Sequence, residues 1–190
     1  MSRPTPQQGH HPDPDAPLVR RAQRGDRWAF EQLVERHQHR LFTLAARLLG
    51  SRDDAADAVQ EALLRVWLGL PNFRRGARFS TWLYRICLNA AHDQRLKRRP
   101  EPAAELPEPA DPRDAFAARE LSSALQQALD RLEEPYRVAV VLYDVLGCSY
   151  GEIADLTGVP EGTVKSRIFR ARSELAERLG TMDLRPKSKQ

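Results

Sequence analysis

From Cys148 to Leu179 the apolar residues fall at helical spacing on both sides of a single glycine–proline break, a pattern that leaves few folds open. Tyr150, Ile153 and Ala154 line one side of Ser149–Leu156. Thr157-Gly158-Val159-Pro160 then stops that helix, with Gly158 suited to a left-handed turn position. Past the break, Val164, Ile168, Ala171, Leu175 and Leu179 recur at intervals of three and four. Lys165, Ser166, Phe169, Arg170 and Arg172 therefore point away from the core. A phenylalanine on an exposed basic face calls for something to cover it. This is the layout of a helix-turn-helix whose second helix enters the major groove of DNA. The plainer alternative is a helical hairpin with a solvated basic surface.

The rest of the chain carries the same helical period, and no strand pattern of useful length appears. The expected fold is all-α, with two small helical domains. Residues 1–17 hold five prolines and almost nothing apolar, and are expected to form a disordered tail. Residues 18–97 read as a domain of three to four helices. One begins near Ala29 and runs to Gly50, and a second starts at Ser51–Asp53 and ends before Pro71. A third spans about Ser80 to Arg95, with Ser80 as its expected cap. Residues 98–115 form the linker: Pro100–Pro112 alone contains five prolines and four acids around a single leucine. Residues 116–180 supply a four-helix domain that ends in the helix-turn-helix, with Leu121, Leu125, Leu129 and Leu132 marking its first helix and Pro135–Leu146 its second. Residues 181–190 are a short basic tail.

Bulk charge is modest, at +4 from 30 basic and 26 acidic residues, but its distribution is not. Between Arg74 and Arg99 stand eight Lys/Arg and one acid, Asp93, the electrostatic footprint of a phosphate-binding surface. No apolar run is long enough to span a bilayer and no secretory signal is present, so a cytoplasmic protein without membrane insertion is expected. Cys87 and Cys148 lie on separate helices and read as packing residues. No Cys/His spacing suits a metal, and His10, His11, His37, His39 and His92 accompany no plausible nucleophile. There is no phosphate-binding glycine loop. An enzyme is thus the weakest reading, and no cofactor or metal is expected.

Two further constellations carry chemistry. Asp57, Gln60, Glu61 and Leu64 share one line of a helix, opposite the apolar stripe Val59, Leu63, Val66 and Leu70. That patch is either solvated or docks a basic or coiled-coil partner. In the next segment Phe79, Leu83, Ile86 and Ala90 face a core, while Trp82, Arg85, Asn89 and Asp93 fall on another face. Phe73 precedes it in a loop with Arg74, Arg75 and Arg78. Aromatic rings interleaved with arginines and an amide suit unpaired bases, which need surfaces to stack on and cations along the backbone. The competing possibility is that Trp82 and Phe73 are core residues and the arginines only solubilise.

Taken together, DAADAVQEALLRVW, FRRGARFSTWLYRICLNAA and SYGEIADLTGVPEGTVKSRIFRARSEL resemble, in the correct order, the two domains of an extracytoplasmic-function sigma factor, over roughly Leu18 to Leu179. The resemblance implies a bacterial RNA polymerase subunit, active in transcription initiation and regulation and in stress responses. It would direct the core enzyme to promoters through −35 and −10 elements and promote DNA melting. By resemblance, Asp57, Gln60, Glu61 and Leu64 match the helix that binds the polymerase clamp coiled coil. Phe73, Arg74, Arg75, Arg78 and Phe79 match the part that captures a flipped −10 base. Trp82, Arg85 and Asn89 match the helix that supports melting and reads that base. Lys165, Ser166, Arg167, Phe169, Arg170 and Arg172 match the −35 recognition helix. The implied partners are core polymerase, at its β′ clamp helices and β flap, duplex and single-stranded promoter DNA, and an anti-sigma factor. Gly151 and Tyr143 depart from the family pattern, where an acidic and a basic residue are common. The alternative is a helix-turn-helix regulator that acts without replacing the sigma subunit. Such regulators usually dimerise, and this chain shows no heptad seam.

Overall fold

A computed structural model describes residues 13–74, 78–97 and 122–180. The expected linker, the basic tail, most of the expected N-terminal tail and Arg75 lie outside the described residues. Among these residues every regular element is a helix. The first, α1 (Ala16–Ala22), takes Pro17 in its opening turn, where a missing N–H costs nothing. Asp13 to Pro17, expected to belong to the tail, are instead built into the domain, with Asp15 buried.

Each following boundary has a chemical cause. Asp26 accepts a hydrogen bond from the Ala29 amide and opens α2 (Arg27–Leu49), which closes at Gly50 in the left-handed region, φ 68°. Ser51 caps α3 (Arg52–Gly69) by accepting from the Asp54 amide, and Asp53 and Asp54 suit the positive end of the helix dipole. A 3-10 turn, Leu70–Asn72, leads toward α4 (Phe79–Lys97). The expected cap Ser80 lies inside this helix. Its first amide, that of Phe79, instead donates to Asp13 Oδ2 at 2.8 Å, across 66 residues of sequence.

The second half comprises α5 (residues 122–130), α6 (Glu134–Val140), α7 (Tyr150–Thr157) and α8 (Glu161–Gly180). A π turn, Val141–Val145, continues α6. Ser149 and Glu152 form a reciprocal capping box at the start of α7, and Gly158, φ 69°, ends it. Arg137, on α6, is buried, and its Nη1 donates to the carbonyls of Leu129, Asp130 and Leu132, each at 3.3 Å, sealing the end of α5. Burial lowers its pKa to about 10.

The two halves share one continuous set of buried apolar residues, and polar side chains bridge them along its edges. Arg40 on α2 donates to the Leu146 carbonyl, and Gln126 on α5 donates to the Arg47 carbonyl. Along the other flank α4 lies against α7. There Arg85 donates to the Asp155 carbonyl and Arg78 pairs with Glu152 at 3.6 Å. At the edge of the seam, His92 Nδ1 sits 2.7 Å from Glu134 on α6. A cleft of about 350 Å³ remains between the halves, with Asn89, His92, Arg95, Leu156 and Arg167 among its lining residues.

Candidate nucleic-acid interface

The segment from Phe73 through α4 separates into a packed aromatic base and an exposed polar edge. Phe73 lies 4.7 Å from the Trp82 ring and 6.0 Å from Phe79. Phe79 is 1% exposed and belongs to the core, so it cannot stack on a base without leaving its site. Trp82 is half-buried, leaning on Phe73 and against the backbone at Gly69, where an added Cβ would stand 3.2 Å from its ring. One side packs and the rest remains accessible, so neither of the two readings that the sequence left open is excluded by its burial.

Arg74, Arg78, Arg85 and Asn89 are exposed on this edge. Asp93, on the same line of α4, is tied to Arg65 of α3 at 2.8 Å, so the acid is neutralised locally and leaves a net positive face. Arg65 also holds Glu61, and these two hydrogen bonds keep its guanidinium pKa above the usual value.

On α3, Asp57, Gln60, Glu61 and Leu64 all face outward, as the spacing requires. The same line extends into Trp67 and Leu68, which the sequence reading did not include. Leu64 is 53% exposed and Leu68 67%. Trp67 sits edge-on to Phe30, 4.8 Å away, which anchors the ring while leaving part of it outside. The signal was available, because Leu64, Trp67 and Leu68 continue the i, i+3, i+4 progression. The acidic start and apolar finish of this strip would suit a partner that is basic at one end and greasy at the other.

In α8, Val164, Ile168, Ala171 and Leu175 are buried against α6 and α7. Lys165, Ser166, Phe169, Arg170 and Arg172 are exposed, and Phe169 reaches 73%. Tyrosines form a platform beside this surface. Tyr143 stacks on Tyr150 at 4.8 Å, Lys165 lies over Tyr150 and Arg172 over Tyr143. Arg170 donates to the Tyr136 hydroxyl at 2.9 Å, a bond that raises its pKa.

Of the residues expected on the DNA-facing surface, one differs in placement and one is already paired. Arg167 turns toward the cleft between the halves. Arg172 forms a bidentate pair with Asp144, so its charge is already matched within the fold. Tyr143 and Gly151, the two departures from the family pattern, lie beside this platform, where Tyr143 supplies a ring in place of a cation.

The cysteines take no part in these surfaces. Both are buried, Cys87 beside the Leu41 carbonyl, and burial pushes their thiols up to about 12 for Cys87 and about 11 for Cys148. Among the described residues no group of three or more His, Cys, Asp or Glu could hold a metal ion, and no helix is long and apolar enough to cross a membrane.

Comparison with known proteins gives this geometry a family. Residues 33–101 match the model for Sigma-70 region 2, and residues 122–175 match that for Sigma-70, region 4. The chain is 41% identical over 175 residues to the ECF RNA polymerase sigma factor SigM of Mycobacterium tuberculosis, covering 92% of this chain and 89% of that protein. It is 38% identical to the ECF RNA polymerase sigma-E factor of Escherichia coli, covering 85% and 92%. Among solved structures, CnrH in complex with the cytosolic domain of CnrY superposes with a TM-score of 0.71 at 32% identity, covering 87% of this chain and 97% of that one. The sigma factor RpoE in complex with the anti-sigma factor NepR, from Bartonella quintana, gives a TM-score of 0.67 at 28% identity, covering 80% and 97%. With both regions matched in order and relatives aligned over nearly their full length, the chain belongs to the ECF sigma factors, which direct RNA polymerase to promoters.

Proposed function

We propose that this sigma factor holds core polymerase through the outer strip of α3 and reads promoter DNA with α4 and α8. The observation that carries the assignment is the separation of three exposed surfaces on different helices: acidic–apolar on α3, aromatic–cationic on α4, and basic–aromatic on α8. Asp57, Gln60, Glu61 and Leu64 engage the clamp helices of β′, with Trp67 and Leu68 extending the contact. Phe73, Trp82, Arg74, Arg78, Arg85 and Asn89 capture the opened −10 strand. Lys165, Ser166, Phe169 and Arg170 meet the −35 duplex, near the β flap. Phe79 supports the −10 surface from beneath; Arg167 reaches the −35 duplex only by turning out of the cleft, and Arg172 only after leaving Asp144.

Phosphate contacts position the protein on DNA, and base-edge contacts select the sequence. Stacking of an unpaired base contributes about 1–3 kcal/mol, which offsets much of the cost of extruding it. Two weak contacts held at fixed spacing by polymerase become one selective contact. Nucleotide polymerisation belongs to the partner enzyme, and the site of action is the cytoplasm, with one sigma copy per polymerase.

The α4–α7 seam has a direct bearing on this use. Arg85 Nη2 donates to the Asp155 carbonyl, which sets α7 beside the proposed −10 surface, so the halves separate to admit the opened strand. NepR is an anti-sigma factor bound to its sigma factor; an equivalent partner for this chain would act by holding these faces covered.

Run-off transcription with purified bacterial core polymerase on upstream genomic fragments tests the assignment. Transcripts dependent on this chain should begin downstream of a shared pair of spaced motifs. Asn89→Ala should lower open-complex formation at those promoters while leaving core binding unchanged. Equal loss of both activities would contradict the division between α3 and α4.

A further inference from the structure

The short N-terminal unit, residues 13–23, pins both ends of the connection between α3 and α4. At the near end Gln23, just past α1, donates from one amide nitrogen to the Leu70 carbonyl at 3.1 Å and the Phe73 carbonyl at 2.9 Å. At the far end Asp13 accepts the Phe79 amide at 2.8 Å through Oδ2. Its other oxygen, Oδ1, accepts the Asp15 amide at 3.0 Å, so the carboxylate is locked in place from its own side. Asp15 in turn is buried against α2, pairing with His37 at 2.8 Å and Arg36 at 2.6 Å. The His37 ring packs 5.8 Å from Phe79, closing the circuit.

This cap cannot come from the immediate neighbours of α4 that the structure describes. Arg78, the residue before the helix, has no side-chain acceptor. Ser80 stands one position too late to cap an earlier amide. The first turn of α4 is therefore oriented by a residue from the other end of the domain. That turn carries Trp82 and follows directly on Arg78, and the Phe73 backbone fixed by Gln23 carries the ring against which Trp82 leans.

We propose that Asp13 and Gln23 are positioning residues for capture of the opened promoter strand, acting through α4 and Phe73 without touching DNA. The inference rests on the reading that Phe73, Trp82 and Asn89 engage that strand.

The test uses the full chain assembled with bacterial core polymerase and a promoter recovered by run-off transcription. The probe is a fluorescent oligonucleotide of the non-template −10 strand from that promoter, titrated into each holoenzyme. Asp13→Ala is expected to weaken oligonucleotide binding about fivefold, the equivalent of one lost helix cap. Core affinity and binding of the −35 duplex should stay at the wild-type level. Asp13→Asn keeps one carbonyl oxygen for the Phe79 amide but sets its NH2 against the Asp15 amide, so it should restore binding only in part. Gln23→Ala should reproduce the defect from the other end, and hydrogen exchange at the Phe79 amide should quicken in Asp13→Ala alone. Wild-type oligonucleotide binding in both alanine variants would overturn the proposal. So would a parallel loss of core affinity. Asn89→Ala separates the two levels. If it binds the oligonucleotide like the wild type, the strand-capture reading falls and takes this one with it. If it is defective while Asp13→Ala is not, only the positioning role fails.

Discussion

Replacing Leu64 by aspartate separates the proposed grip of α3 on polymerase from the stability of the fold. Leu64 is 53% exposed, so about half of its surface is already covered within the bundle and the rest is open to a partner. Complete burial of a leucine side chain is worth about 1.5–3 kcal/mol, so covering the open part contributes about 1 kcal/mol. Aspartate forfeits that contribution and brings an unpaired carboxylate into a dry contact, at a further cost of about 2 kcal/mol. The sum, about 3 kcal/mol, corresponds to roughly a hundredfold rise in Kd for core polymerase. The isolated chain should lose little, because exposed substitutions usually stay within about 0.5 kcal/mol. An anisotropy titration of the labelled chain with core polymerase gives the first quantity, and thermal melting gives the second. A folded variant whose Kd stays within threefold of the wild type would refute the reasoning. A fall in Tm of more than a few degrees would refute it differently, by making Leu64 a folding residue.

Other expectations follow from buried groups. Arg137→Met keeps much of the volume but removes the guanidinium from the Leu129, Asp130 and Leu132 carbonyls, of which Leu129 keeps the Leu132 amide, and should cost about 2 kcal/mol in urea unfolding. Burial alone would raise the Asp15 carboxyl, but its bonds to His37 and Arg36 more than offset this and hold it below 3.8. A depressed pKa contributes stability above the unfolded value that disappears as pH falls through the folded one, so Asp15→Asn should flatten the unfolding curve below about pH 4. The raised thiols reverse the sign: stability is present below about pH 9 and declines toward pH 11–12 as the unfolded chain ionises first. At pH 8 iodoacetamide should label Cys87 and Cys148 only as fast as the chain unfolds, a rate readable by mass spectrometry. Gly158→Ala forces a side chain into a backbone of φ 69° and should lower stability by about 1 kcal/mol, measured in the same urea experiment.

Local chemistry was legible in the sequence wherever cause and effect are neighbours. Ser51 beside Asp53 and Asp54, Ser149 three residues before Glu152, and Gly158 before Pro160 each mark a boundary that the structure contains. The buried face of α8 follows from its period for the same reason. Ser80 misled because the helix begins one residue earlier, at Phe79, whose amide is met by Asp13, and no local rule connects residues 66 positions apart. Arg137 was equally hidden: an arginine in a helix normally reads as solvated, and its three acceptors exist only once α5 and α6 fold together. Trp82 remained ambiguous because its two sides have different surroundings. The seam left no sequence signal, since its bonds join arginines to backbone carbonyls whose positions depend on the whole fold.

That seam also limits how such a protein can diverge. On the proposed reading, the guanidinium that closes α4 against α7 also meets the promoter, and Asn89 lines the adjoining cleft. A substitution at Arg85 that shifts promoter preference therefore also changes how readily the two halves part. Promoter choice and silence at rest are inherited as one trait at this helix, and a lineage acquiring a new regulon must restore the old balance through second-site changes on α7.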